Sequence, residues 1–470
     1  MKLQNLEPKA VFKYFEDLCG IPHGSGNMEA ISAYCIQFAK DRGLWVYTDE
    51  LHNVVIKKPG TAGYEDHPAV IIQGHLDMVC EKDPDVEFDF MTDGLRLGID
   101  GDDVYAEGTT LGGDNCIAVA MALAILDADD IPHPPIEAVF TTDEETGMYG
   151  AAALDTSVLE GKLLINADSE EEGVLTVGCA GGARADIVIP LTKAAVTAPC
   201  YDVTVSGLVG GHSGVEIHTG RHNANVVMGR FIKALPADVQ VIAMAGGQKD
   251  NVIPSFCACT LATNGNPADF VADFLAANHN PADPDLRIEV KAAVAAETGF
   301  DAASTAKLAD FLLAVPNGVQ AMSPHIEGLV ETSLNLGVLS TADDGLHVSF
   351  SVRSSVGKSK FELLDKLAAI AADFGGTYGT RSHYPAWEYR TESRLRDTMV
   401  QVYREQFGKE AQVVAIHAGL ECGLFCDKIA DLDAVSFGPN MKEIHTSRER
   451  LSISSTARTY QYLCDVLKAL

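Results

Sequence analysis

The sequence predicts an α/β protein with a mostly parallel sheet flanked by helices and a second, α+β domain inserted into it. Three observations carry this. Strand and helix signals alternate through the first third of the 470 residues; from about residue 187 the texture changes to half-exposed alternating strands; after about residue 387 the parallel texture returns. The expected division is residues 1–186 with 387–470 for one discontinuous domain and 187–386 for the insert, since the chain is too long for one ordinary core.

In order along the chain, the first twenty residues read as an amphipathic helix with Val11, Phe12, Phe15 and Leu18 on one side, without the apolar core of a signal peptide. Apolar runs at residues 69–72 and 138–141 predict buried strands, and residues 115–127 a helix, with short polar loops after each apolar run. Those loops matter because open α/β sheets bind ligands just beyond the carboxyl ends of their strands. In the insert, YDVTVSG and HVSFSVRS alternate like strands with one covered face, while residues 223–235 and 358–374 predict helices lying on such a sheet. Past the insert, AVSFG predicts a strand and residues 455–470 a closing helix. No short repeat is present, though the insert is long enough to hide a divergent internal duplication.

Composition narrows the partners. Asp and Glu outnumber Lys and Arg by 66 to 35, a formal charge of −31, which repels phosphate backbones and anionic membranes and argues against nucleic acid. No apolar run approaches the roughly 20 residues that span a bilayer. The eleven cysteines are scattered without zinc-ribbon or disulfide spacing, so they are expected to be reduced, mostly buried thiols and the protein to be cytoplasmic.

Five short stretches carry candidate chemistry, three of them just after apolar runs. His75-Leu76-Asp77 follows AVIIQG, where His75 is either a metal ligand with Asp77 fixing its ring or an ordinary buried histidine. Asp114, in Leu-Gly-Gly-Asp-Asn at a helix start, is either a helix cap or, with glycines allowing close approach, a carboxylate bridging two cations. Asp143-Glu144-Glu145 follows EAVFTT; unless it is a solvated acidic loop, its mutual repulsion calls for a cation, with Glu145 as ligand and Glu144 free to take a proton from water. Asp168 follows KLLIN and His445 lies in GPNMKEIHTSRERL, neither diagnostic alone, and Glu170–Glu172 reads as a solvated charge run.

Taken together, His75-x-Asp77, Gly113-Asp114-Asn115, Glu144-Glu145, Asp168 and His445 resemble the metal site of the dinuclear-metal peptidase family that includes carboxypeptidase G, aminoacylase-1 and the carnosinases. The resemblance covers the chain almost end to end. The phrases GGHSGVEIHTGRHNAN, SVRSS and HAGLECGLF are similar to its aminoacyl-histidine dipeptidase branch. The resemblance implies two divalent metal ions, zinc first and manganese or cobalt as alternatives. Asp114 would bridge them, His75 and Asp168 completing one site and Glu145 and His445 the other. It makes the insert a lid that supplies His212, with His218 as a nearby structural residue. It also assigns the substrate's terminal carboxylate to Asn251, Arg353 and the backbone of Gly419.

The function so implied is hydrolysis of dipeptides, Xaa-His among them, by a metal-bridging hydroxide with Glu144 as base and then acid, Asp77 orienting His75, and His212 stabilising the oxyanion. Rival readings are an N-acyl amino acid deacylase or a carboxypeptidase on the same metal site, and a catalytically inactive metal-binding scaffold. The lid would either form a homodimer or substitute for a second copy.

Overall fold

The apolar runs of the first third become strands Val70–His75 and Ile136–Thr141, buried at every residue, so neither face meets water. The computed structural model describes residues 2–470, and the chain divides into two compact units. The first comprises residues up to Gly178 together with Tyr389–Ala415 and Leu420–Leu470; the second comprises Cys179–Glu388 and Ile416–Gly419.

The first unit holds an eight-stranded sheet in the order Trp45–Thr48, Val54–Lys58, Ile136–Thr141, Val70–His75, Leu163–Asn166, Asp433–Ser436, Val174–Cys179, Gln412–Ile416. Its four central strands, from Ile136–Thr141 to Asp433–Ser436, run parallel, and antiparallel strands flank them. Helix Gly113–Asp127 is apolar all round and accordingly buried from Asn115 to Leu126, packed against Lys9–Cys19 and strand Val70–His75. Val11, Phe12, Phe15 and Leu18 are all buried on the first helix, as its spacing predicts. Because the central strands are parallel, their carboxyl ends share one edge of the sheet. None of the eleven cysteines is in a disulfide, and eight are buried. Among the described residues no helix is long and apolar enough to cross a membrane.

The second unit shows the internal repetition that the sequence left open. Strand Cys200–Ser206, helix Ala224–Ala234, strands Gln240–Gly246 and Cys257–Ala262, helix Val271–Ala277 and strand Arg287–Ala292 form one β-α-β-β-α-β unit. Strand Gly181–Pro190, helix Ala302–Ala314, strands Val330–Ala342 and Gly345–Ser354, helix Gly357–Asp373 and strand Thr377–Tyr384 form another, with the first inserted after its opening strand. Across the sheet, strand order is fourth-first-third-second in one repeat and second-third-first-fourth in the other. The two second strands join antiparallel at Ala245↔Ser340 and Gly246↔Leu339, so each covers an edge the other would leave open.

Candidate metal centre

Three of the parallel strands end on acids and an imidazole. His75 is the last residue of Val70–His75, the acidic run 143–145 follows Ile136–Thr141, and Asp168 follows Leu163–Asn166. Asn115 ties two of these ends together. Its Oδ1 accepts from the His75 N–H at 3.2 Å and its Nδ2 donates to the Ala167 carbonyl at 2.8 Å. Gly74 leaves it room, since a Cβ there would stand 2.5 Å from Asn115 Oδ1.

Asp114 faces an imidazole on each side. Its Oδ1 lies 3.1 Å from His75 Nε2, which is also 3.4 Å from Asp168 Oδ1. Its Oδ2 lies 3.2 Å from His445 Nε2, which is 3.0 Å from Glu145 Oε1. His75-Asp114-Asp168 and Asp114-Glu145-His445 are thus two ligand-like groups sharing one carboxylate; His75, Glu144 and Glu145 form a third. Both carboxylate oxygens of Asp114 are directed at imidazoles rather than at the first turn of its helix.

On the far side of the His75 ring, Nδ1 meets the Asp77 backbone carbonyl at 3.0 Å and the Asp77 carboxylate at 3.4 Å. Both are acceptors, so Nδ1 carries a proton, and Nε2, which faces Asp114 and Asp168, is the nitrogen a cation would take. The Asp77 carboxylate has a second task. It accepts from the N–H groups of Glu144 and Glu145 at 3.0 and 3.3 Å and from Ser25 Oγ at 2.8 Å, holding the backbone of the glutamate pair.

The electrostatics call for positive charge. Burial pushes the Asp168 carboxyl up to about 7 against the pull of His75. Burial, then Asp168, Glu421 and Glu145, hold Glu144 well above the usual carboxyl range despite His75. Hydrogen bonds to Asp114 and Glu145 raise His445 to about 10. Buried carboxylates that retain protons in this way would be stabilised by divalent cations, which bring more charge into the same space. Its donors are imidazole nitrogens and carboxylate oxygens without sulfur, which fits zinc and also manganese or cobalt.

Two further acids escaped sequence reading. Glu449, 2% exposed, accepts from the backbone N–H groups of Leu111, Gly112, Gly113 and Asp114 at 2.7, 3.1, 2.8 and 3.3 Å, and so shapes the loop that presents Asp114. In sequence it is one charge of Arg-Glu-Arg, indistinguishable from surface. Glu421 is fully buried and accepts from Gln73 Nε2 and Thr141 Oγ1 at 2.6 and 2.7 Å. An acid within the apolar phrase LECGLF was its only signal. Conversely, the 170–172 run is not uniformly solvated, because Glu172 forms a two-pronged pair with Arg458 at 2.7 and 2.6 Å. Glu449→Ala should lower stability, at about 1–3 kcal/mol for each buried N–H left without an acceptor, and weaken metal binding with it. Thermal unfolding and metal titration check this; unchanged metal affinity would leave Glu449 a purely structural brace.

The second unit gathers the remaining sequence-predicted residues. His212 pairs in a short ribbon with Val252, and the Ser213 N–H donates to the Asn251 carbonyl at 2.9 Å. His212 Nδ1 accepts from the N–H groups of Gly214 and Val215 at 3.2 and 3.3 Å, so its proton sits on Nε2, free to donate. Burial, then Arg353, lowers its pKa and keeps the ring neutral. The segment ending at Gly419 lies alongside: a Cβ on Gly214 would stand 2.6 Å from the His417 carbonyl. Arg353 is buried at 5% exposure, and its Nε has no partner. His218 is exposed.

Residues 71–469 match the sequence profile described as peptidase family M20/M25/M40. The chain is 36% identical over 480 residues to the cytosol non-specific dipeptidase of Escherichia coli strain K12, a match spanning 100% of this chain and 99% of that protein. Its structure is similar to that of the aminoacylhistidine dipeptidase from Vibrio alginolyticus, with a TM-score of 0.94 and 35% identity over 100% of this chain and 98% of that one. The fold extends to an aminopeptidase, PepT, from Bacillus cereus, with a TM-score of 0.58 at 15% identity over 99% of both chains. Profile and end-to-end identity agree, and the chain belongs to peptidase family M20/M25/M40.

Proposed function

We propose that this chain is a metal-dependent dipeptidase, with Xaa-His dipeptides among its substrates. One observation carries the metal reading: the two oxygens of Asp114 face different imidazoles, each joined by its own carboxylate. His75 and Asp168 would hold one cation, Glu145 and His445 the other, and Asp114 both. Bound there, zinc, or manganese or cobalt in its place, would polarise the substrate carbonyl and acidify a water molecule.

The chain's own residues supply the rest. Glu144, fixed through its backbone by Asp77, takes the proton from the attacking water and returns it to the leaving amine. Asp77 and its carbonyl keep His75 in the tautomer that offers Nε2. His212, neutral with its proton on Nε2, is a donor for the developing oxyanion. Asn251, Arg353 and the Gly419 N–H cradle the terminal carboxylate, and the buried guanidinium of Arg353 with its unpartnered Nε is the support for that assignment. The names of the similar dipeptidases support the substrate class, and the Escherichia coli relative's name supports a cytoplasmic location.

A dipeptide panel with metal removal and add-back tests the reading. Chelation should abolish turnover, zinc, manganese or cobalt should restore it, and dipeptides should exceed tripeptides and acetylated amino acids. Preference for acetylated amino acids would make the protein a deacylase, and no metal-dependent turnover would make it a scaffold.

Arg353→Lys keeps the charge but loses the two-pronged fork, and should cost about 1.5–3 kcal/mol in kcat/KM on a dipeptide. A dipeptide amide, which has no carboxylate to grip, should be a poor substrate already and should suffer far less. Equal slowing of acid and amide would remove Arg353 from the carboxylate site.

A further inference from the structure

One row of residues crosses four adjacent strands of the second unit. Ser333 pairs with Arg353, Arg353 with Gly182, and Gly182 with Tyr384. Residues paired across neighbouring strands present their side chains to the same face. Here it is the face opposite the core, since Val352 and Ala183, the strand neighbours of Arg353 and Gly182, are the buried apolar residues. Arg353 Nη1 donates to Tyr384 Oη at 3.0 Å, and at the other end of the row Ser333 Oγ lies 2.7 Å from His417 Nε2.

Three features bring the Tyr384 phenol to this place. The pairing of its strand slips between Arg381 and Tyr384, with Ser382 inside the slip at φ 52°, and such a bulge re-aims the side chain that follows. Gly182 supplies the space beneath the ring: a Cβ there would stand 2.4 Å from Tyr384 Cζ and Oη. Lys360 Nζ donates to the Tyr384 carbonyl at 2.7 Å and holds the strand end.

A phenol has one proton to donate and accepts through its oxygen. Arg353 only donates, so it occupies a lone pair of Tyr384 Oη and leaves the hydroxyl proton for a third group. Arg353 itself is buried, and no carboxylate of the described residues is paired with it. A buried guanidinium without a counter-charge is costly, and one lying beside a free O–H forms a two-donor cradle suited to a carboxylate.

We propose that Tyr384 donates its hydroxyl proton to the terminal carboxylate of the substrate, as a second side-chain donor beside Arg353. It would thereby help select substrates that end in a free carboxylate. The proposal rests on the reading of Arg353 as the carboxylate clamp.

The test uses the metal-loaded full chain as wild type, Tyr384→Phe, Arg353→Lys and the double variant, each assayed on a dipeptide and on its amide. Phenylalanine keeps the ring over Gly182 and removes only the hydroxyl. The dipeptide should lose about 10- to 100-fold in kcat/KM, chiefly through KM, as for one charge-assisted hydrogen bond, while the amide changes by less than about twofold. The double variant should lose less than the product of the single losses, because both donors serve one group. A Tyr384→Phe protein that slows acid and amide equally, or neither, while Arg353→Lys remains selective for the acid, overturns the Tyr384 assignment alone. Equal slowing of both substrates by Arg353→Lys removes the clamp and the proposal with it. Thermal unfolding of each variant shows that selectivity, rather than loss of fold, is being read.

Discussion

Glu144→Ala should retain about two metal ions per chain and lose turnover by at least the ~10²–10⁴-fold typical of a general acid–base group. The structure gives the expectation its shape. The Glu144 N–H is anchored on Asp77 at 3.0 Å, so removing the side chain leaves the loop in place. Its carboxyl is pushed up by burial and by Asp168, Glu421 and Glu145, with His75 opposing them. Metal analysis is the necessary second measurement, because Glu144 also stands in a ligand-like group with His75 and Glu145. If metal content falls in step with activity, Glu144 is a ligand; if activity stays near normal in a metal-loaded protein, it is neither ligand nor base.

Asp114→Ala should empty or disorder both metal positions, whereas His445→Ala should chiefly weaken one. Asp114 is the single residue common to the two groups, with one oxygen 3.1 Å from His75 and the other 3.2 Å from His445. Its removal leaves two imidazoles facing each other without the shared anion between them. His445 lies at the exposed side, its side chain 45% exposed, and the trio of His75, Asp114 and Asp168 does not include it. Metal stoichiometry measured on both variants decides the matter. The same loss in each, confined to one ion, would mean that Asp114 does not bridge.

Much of this site could be read because its residues sit at strand ends, where an apolar run followed by a short polar loop announces itself in one dimension. His75, Glu144, Glu145 and Asp168 are all placed this way, and Asp114 opens the helix that packs behind them. The strand and helix periods that gave the fold class are equally local, since burial on one or both faces imposes its pattern on consecutive residues.

What the sequence determined by itself, then, was the α/β class, the inserted α+β segment and the chemical identity of the candidate ligands, because each depends on the order of neighbouring residues. Tertiary structure alone decided which side chains meet. It set Glu449 against the N–H groups of Leu111 to Asp114, more than 330 positions away, and Glu421 against Gln73 and Thr141. It paired the two repeats edge to edge and laid Tyr384 over Gly182 beside Arg353. A buried acid and a surface acid look alike in sequence, since what separates them is the desolvation and the donors supplied by distant segments, and those exist only once the chain has folded.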